Sequence, residues 1–252
     1  MESKRYFIEF SYDGSAFHGW QKQPNAISIQ EVVEEGLSNL LRYKTSIVGA
    51  GRTDTGVHAR QMFAHFNAII KEEFFKELVY LLNSYLPKSI NIMSIEKVKT
   101  TAHARFDAVE RTYKYYISTI KDPFNNSYHY FLINPPDIDL MNEATKIIIG
   151  CKDFKSFSKS HSDVKTFICD IKSAFWYQKD NQLVFSITSN RFLRNMVRSI
   201  VGTLLEIGFK KKTFDDLKKI IKSRDRARAG FSVPANGLFL TKIVYPSNIY
   251  IR

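Results

Sequence analysis

Thr45-Ser46-Ile47-Val48-Gly49-Ala50-Gly51-Arg52-Thr53-Asp54-Thr55-Gly56-Val57-His58-Ala59 leads into the alternating stretch Gln61-Met62-Phe63-Ala64-His65-Phe66. Residues 45–50 read as a strand and residues 61–66 as a second, so the glycine-rich loop between them is a turn that links strand to strand. Glycines 49, 51 and 56 permit positive φ and close backbone approach, which a loop needs when it wraps something other than its own side chains. Three readings fit. The loop is a turn in which Asp54 satisfies backbone amides. Or it belongs to an aspartic protease, on the strength of Asp54-Thr55-Gly56; but no second Asp-Thr-Gly or Asp-Ser-Gly is present to share a proton, and Arg52-Thr53 stands where that class has an apolar strand. Or Asp54 is a lone nucleophilic carboxylate held by a cation, with Arg52 two residues away.

Working outward, residues 4–12 alternate as a strand and end at Asp13-Gly14. Ser28 and Glu31 form a capping box for a helix in which Ile29, Val32, Val33, Gly36, Leu37, Leu40 and Leu41 recur at helical spacing. A helix over 72–85, stopped by Pro87, and a strand over 90–98 follow. Beyond them come a strand at 112–118, a helix at 140–149, a hairpin of 167–177 with 183–189, helices at 193–207 and 214–223, and a closing strand at 237–245. Strand and helix mix without strict alternation, which points to an α+β fold rather than a doubly wound sheet. The halves join near 105, giving an N-terminal part, 1–105, and a C-terminal part, 106–252. With no low-complexity linker between them, the two are expected to share a continuous sheet with a cleft between them.

The 252 residues carry 37 Lys and Arg against 25 Asp and Glu, a formal charge of +12 that makes a polyanion the first expected partner. Residues 191–228 alone hold 12 basic against 4 acidic side chains. Thirty-five aromatic residues offer stacking surfaces to unpaired bases, although most of the 20 Phe belong in the core. No apolar run reaches the length of a membrane-spanning helix, and residues 1–5 lead into a strand instead of a signal-like segment, so a soluble, cytoplasmic protein is expected. Cys151 and Cys169 have neither zinc nor redox spacing and read as reduced core thiols. No His, Cys, Asp or Glu set has ligand spacing; neither metal nor organic cofactor is expected.

Two further clusters carry chemistry. In Arg111-Thr112-Tyr113-Lys114-Tyr115-Tyr116, strand parity sets Arg111, Tyr113 and Tyr115 on one face and Thr112, Lys114 and Tyr116 on the other. In the 193–207 helix, Leu193, Met196, Val197, Ile200, Val201 and Leu204 form an apolar stripe, with Arg194 and Arg198 on its shoulder. Arg198 is therefore expected to be half-buried, either paired with a carboxylate or snorkelling into water.

Together these segments resemble the tRNA pseudouridine synthase A family. The likeness runs nearly end to end: Tyr12-Asp13-Gly14 with Gly19-Trp20-Gln21, residues 51–59, His103-Ala104-Arg105-Phe106-Asp107-Ala108, Arg111-Thr112-Tyr113, Asp153-Phe154 with Ser156-Phe157-Ser158-Lys159, residues 190–202, and Pro234-Ala235-Asn236-Gly237-Leu238. The resemblance implies Asp54 as nucleophile, Tyr113 as the ring over the target base, Arg198 as the partner of that Asp, Arg52 as the side chain that helps turn the base out, and Leu238 as the apolar contact under the uracil. It places Arg105, His58, Lys159 and Arg194 among the substrate-binding residues. It also implies two similar α+β halves sharing an antiparallel sheet, a central basic cleft, a homodimer, tRNA as partner, and isomerisation of uridine to pseudouridine at positions 38 to 40 of the anticodon stem-loop. A synthase acting on another RNA, and a non-catalytic RNA-binding module, are the alternatives. Phe231-Ser232-Val233 departs from a pattern of Thr-Ala before Pro234.

Overall fold

The structure is a computed structural model that describes residues 2–160 and 164–251. Its elements run in the order β1 (Lys4–Tyr12), α1 (Ile29–Leu41), β2 (Val48–Gly49), β3 (His58–Ala68), α2 (Phe75–Tyr85), β4 (Ile90–Val98), β5 (Glu110–Ser118), β6 (Tyr130–Phe131), α3 (Ile138–Gly150), β7 (Ile171–Lys179), β8 (Gln182–Ser189), α4 (Met196–Gly208), α5 (Phe214–Ser223) and β9 (Leu238–Val244). The class is α+β, with strands paired mostly antiparallel. The chain divides into two compact units, Met1–Val109 with Leu240–Arg252, and Glu110–Phe239. A single boundary near residue 105 misses this return of the C-terminus to the first unit. The return has a packing cause: Tyr245 sets its ring edge-on to Phe7 at 4.9 Å and to Phe63 at 5.2 Å. The Ile243 amide donates to Gln61 Oε1 at 2.8 Å.

In the first unit the strands lie in the order β4-β1-β3-β9. Apolar side chains are buried on both faces of β1. Tyr6 packs on Phe66 and on Phe75 of α2, and the opposite-parity Phe7 packs on Phe63 and Tyr245. The expected strand at 45–50 is reduced to β2, paired antiparallel as Val48↔His65 and Gly49↔Ala64, while β3 extends to eleven residues. Ser28 Oγ accepts from the Glu31 amide at 3.3 Å, as a cap should, but the Glu31 carboxylate faces Lys22 Nζ at 3.5 Å instead of turning back on the cap.

In the second unit β5, β8 and β7 follow one another, with β6 pairing parallel to β5 as Ile117↔Tyr130. Short and lacking alternation, β6 carries no sequence signal of its own. Residues 167–170 of the expected hairpin lie outside β7. Asn142 of α3 brackets the strand backbone, donating from Nδ2 to the Trp176 carbonyl at 3.1 Å and accepting from the Trp176 amide at 2.8 Å. Helix α4 is buried nearly all round, including Ser199 and Thr203, so it is a core helix more than an amphipathic one. It starts at Met196, later than expected, because Asn195 takes a positive φ of 67°. Arg194 therefore precedes the helix and does not lie on its shoulder. Among the described residues no helix is long and apolar enough to cross a membrane.

Candidate active site

The Asp54 loop sits in the first unit and is framed by the chain between β1 and α1. The Trp20 amide donates to the Thr53 carbonyl at 3.1 Å, the Thr53 and Tyr12 hydroxyls share a hydrogen bond at 2.8 Å, and the Val57 amide closes a four-residue turn on the Asp54 carbonyl at 3.1 Å. Gly56 fills the third place of that turn with φ 77°, a conformation glycine adopts without a Cβ penalty. Gly49 instead allows close approach of the Trp20 indole. Gly51 does neither, since a Cβ there meets nothing within 4 Å. The expectation for three structural glycines in this loop thus reduces to two.

Gly19, outside the loop, matters more than Gly51. It has φ 89°, and a Cβ on it falls 2.7 Å from the Thr53 carbonyl oxygen. Gly19→Ala is expected to lower the unfolding free energy by about 2–3 kcal/mol, combining left-handed strain with a backbone clash. Gly51→Ala is expected to stay within about 0.5 kcal/mol. Urea denaturation of the two variants checks both; equal stabilities count against Gly19 as a frame of the loop.

Within the loop Asp54 is half-buried and Arg52 exposed, so a carboxylate and a guanidinium two residues apart both reach solvent. His58 is different. Its ring is 1% exposed, with Nδ1 3.1 Å from the Gly14 amide and 3.0 Å from Asp13 Oδ1. Nδ1 accepts from the amide in the neutral tautomer or donates to the carboxylate when protonated, and either bond ties β3 to the Asp13-Gly14 turn. Such burial makes His58 a frame for the loop.

Arg105 is exposed, with its guanidinium carbon 5.7 Å from the centre of the Phe106 ring, itself 73% exposed. Phe106 lies on His103 at 4.2 Å, and His103 meets His65 edge-on at 4.6 Å. His65 is a residue that sequence reasoning passed over as one member of an alternating strand. Burial first, then the neighbouring His103 and Arg5, pushes its pKa from 6.5 down to about 4, while its Nδ1 accepts from the Ala104 amide at 3.1 Å. Burial also lowers the pKa of His103.

The sign for stability follows from the folded state refusing a proton that the unfolded chain takes up below about pH 6.5. The stabilisation is complete above that pH, and about 2–3 kcal/mol of it is lost on acidification to pH 4. His65→Asn, which retains an acceptor for Ala104, is expected to flatten stability between pH 6.5 and 4. An unchanged pH dependence in that variant assigns it to other groups.

The second unit holds Tyr113, Lys159, Arg194, Arg198 and Leu238. Tyr113 on β5 is half-buried and set edge-on to Phe192 at 5.0 Å. Its neighbour of like parity, Tyr115, is fully buried and donates to the Pro234 carbonyl at 2.8 Å. Burial raises the Tyr115 pKa far above that of a free phenol, and the Arg198 cation partly opposes the rise. Arg198 is half-buried, as its place on α4 predicts, and its Nε donates to the Val233 carbonyl at 2.7 Å. The Lys159 amide donates to the Arg194 carbonyl at 3.0 Å, so these two exposed cations are neighbours. Leu238 opens β9 and is 6% exposed.

Cys151 and Cys169 are buried free thiols whose pKa values burial pushes up to about 11, so they are inert packing residues. Among the described residues no three His, Cys, Asp or Glu gather as around a metal ion.

A family model described as tRNA pseudouridine synthase matches residues 9–107 and 144–246, spans that contain every candidate site residue except Tyr113. The chain is 51% identical over 251 residues to a protein of Bacteroides fragilis named tRNA pseudouridine synthase A, covering 99% of this chain and 100% of that one. It is 50% identical over 250 residues to the protein of that name from Parabacteroides distasonis, covering 98% of each. For the Clostridium acetobutylicum protein the identity is 40% over 246 residues, 96% of this chain and 100% of that one. With matches of this extent, the chain belongs to the tRNA pseudouridine synthase family.

Proposed function

We propose that this protein isomerises uridine to pseudouridine in the anticodon stem-loop of tRNA, at positions 38, 39 and 40. The observation that carries the reading is a half-buried Asp54 on a loop held by backbone bonds and the Tyr12–Thr53 pair, inside a segment that matches the family. The reaction breaks the bond between ribose C1′ and uracil N1, turns the uracil while it is held, and joins C1′ to C5. The proton on C5 is lost and N1 gains one, so no electrons are exchanged with a cofactor. Asp54 is the nucleophilic carboxylate. Arg52, exposed beside it, helps turn the base out of its stack, a step that costs a few kcal/mol and is offset by contacts of basic side chains with the phosphates. Tyr113 covers the base, Leu238 gives it an apolar contact, and Arg198 supplies a guanidinium for the reaction. Arg105, Lys159 and Arg194, all exposed cations, are assigned to the RNA backbone. The protein works as a homodimer in the cytoplasm.

The test is pseudouridine mapping of cellular tRNA with and without this chain. Loss of the modification at positions 38 to 40 alone is expected. Loss at other RNA positions assigns another target, and no loss anywhere leaves a binding module without catalysis.

A further inference from the structure

Arg198 is held by a segment that is itself clamped. The Val233 amide donates to the Arg198 carbonyl at 3.3 Å, and the Val233 carbonyl accepts from Arg198 Nε, so the backbone on both sides of Val233 sets the direction of the guanidinium. One residue earlier, Ser232 Oγ accepts from two side chains: Arg226 Nη2 at 2.8 Å and Asn195 Nδ2 at 2.6 Å. A hydroxyl oxygen has two lone pairs and satisfies both. Arg226 also spans the preceding turn, donating from Nη1 to the Gly230 carbonyl at 3.0 Å. The segment lies backbone against backbone on α4. The Gly230 amide donates to Thr203 Oγ1 at 2.9 Å, and a Cβ on Gly230 falls 2.7 Å from the Thr203 amide nitrogen.

Arg226 sits in the basic 191–228 stretch, where charge alone suggests contact with RNA. Its hydrogen bonds say otherwise. The residue is half-buried, its donors point to Gly230 and Ser232, and among the described residues no carboxylate pairs with it. It stands in a short turn that Asp225 caps, accepting from the Ala227 amide at 2.9 Å. A planar guanidinium joins a backbone carbonyl and a side-chain hydroxyl in one geometry, which a lysine ammonium does not reproduce.

We propose that Arg226 is a positioning residue: through Ser232 and the Val233 peptide it fixes the guanidinium of Arg198 for the reaction. A donor oriented in advance costs no reorganisation when charge develops, so loosening it slows the chemical step without weakening substrate binding. Ser232, where this chain departs from the Thr-Ala pattern, is the joint through which Arg226 and Asn195 act together.

The inference rests on the proposed role of Arg198, and the experiment separates the two. Single-turnover rates and tRNA dissociation constants are measured for Arg226→Gln, Ser232→Ala and Arg198→Met, and for each of the first two combined with Arg198→Met. Arg226→Gln is expected to slow the chemical step about 10- to 100-fold with tRNA affinity within about threefold. In the Arg198→Met background the same change is expected to cost nothing further. A loss that multiplies with that of Arg198→Met overturns the inference, since Arg226 then acts on its own. A weakened dissociation constant at unchanged rate also overturns it and makes Arg226 a phosphate contact. Should Arg226→Gln fail to fold, Ser232→Ala, which removes only the shared acceptor, must show the same slowing and the same lack of additivity; a wild-type rate in that variant sinks the idea. A full rate in Arg198→Met itself removes the proposed role of Arg198, and this inference with it.

Discussion

Asp54→Asn is expected to fold, to bind tRNA within about threefold of the parent chain, and to make pseudouridine at a rate lower by about 10⁴-fold or more, the scale on which removal of a nucleophile acts. The reason for expecting a fold is local. The bonds from Trp20 to Thr53, Tyr12 to Thr53 and Val57 to Asp54 use backbone atoms and the Tyr12 and Thr53 hydroxyls, none of them the Asp54 carboxylate. An amide of the same shape leaves that frame in place while removing the nucleophile. Single-turnover release of C5-tritium from labelled tRNA checks the rate, and filter binding checks the affinity. Turnover near the parent rate in protein free of wild-type contamination removes Asp54 from the mechanism.

Arg198→Met is expected to be the second largest effect, a loss of about 10²- to 10³-fold in the rate of the chemical step, as for removal of one preorganised donor, with tRNA affinity again little changed. Methionine fills the half-buried site with an unbranched chain, while it removes the charge and, with it, the Nε donor to Val233. Loss of that bond costs about 1 kcal/mol of stability. Arg198→Lys is expected to recover only part of the rate, because an ammonium restores the charge without the fork. A Lys variant as active as the parent reduces the role of Arg198 to charge alone. A Met variant that binds tRNA poorly yet reacts at the parent rate makes it a phosphate contact.

Local signals in the sequence determined a large part of this protein. The strands at Lys4–Tyr12 and Ile90–Val98 and the helix at Phe214–Ser223 fall where alternation and helical spacing put them. The last is bounded by Thr213 and Asp216, which close a capping box within four residues. The loop with Asp54 between Arg52 and Gly56, and the half-burial of Arg198, are legible too, because a turn needs its glycine and a charge beside an apolar stripe cannot bury completely.

What only the tertiary structure decided depends on partners distant in sequence. Helix α4 begins at Met196 because Asn195, at positive φ, is tied to Ser232, and no propensity within 193–196 anticipates that bond. Residues 240–252 return to the first unit because Tyr245 packs on Phe7 and Phe63, contacts across more than 180 residues that a linear reading does not contain. In the sequence His58 is one residue of the Asp54 loop segment and Arg226 one cation of the basic 191–228 stretch. The fold buries the first and half-buries the second, and a side chain's work is set by the donors and acceptors it meets there, which its neighbours in sequence do not specify.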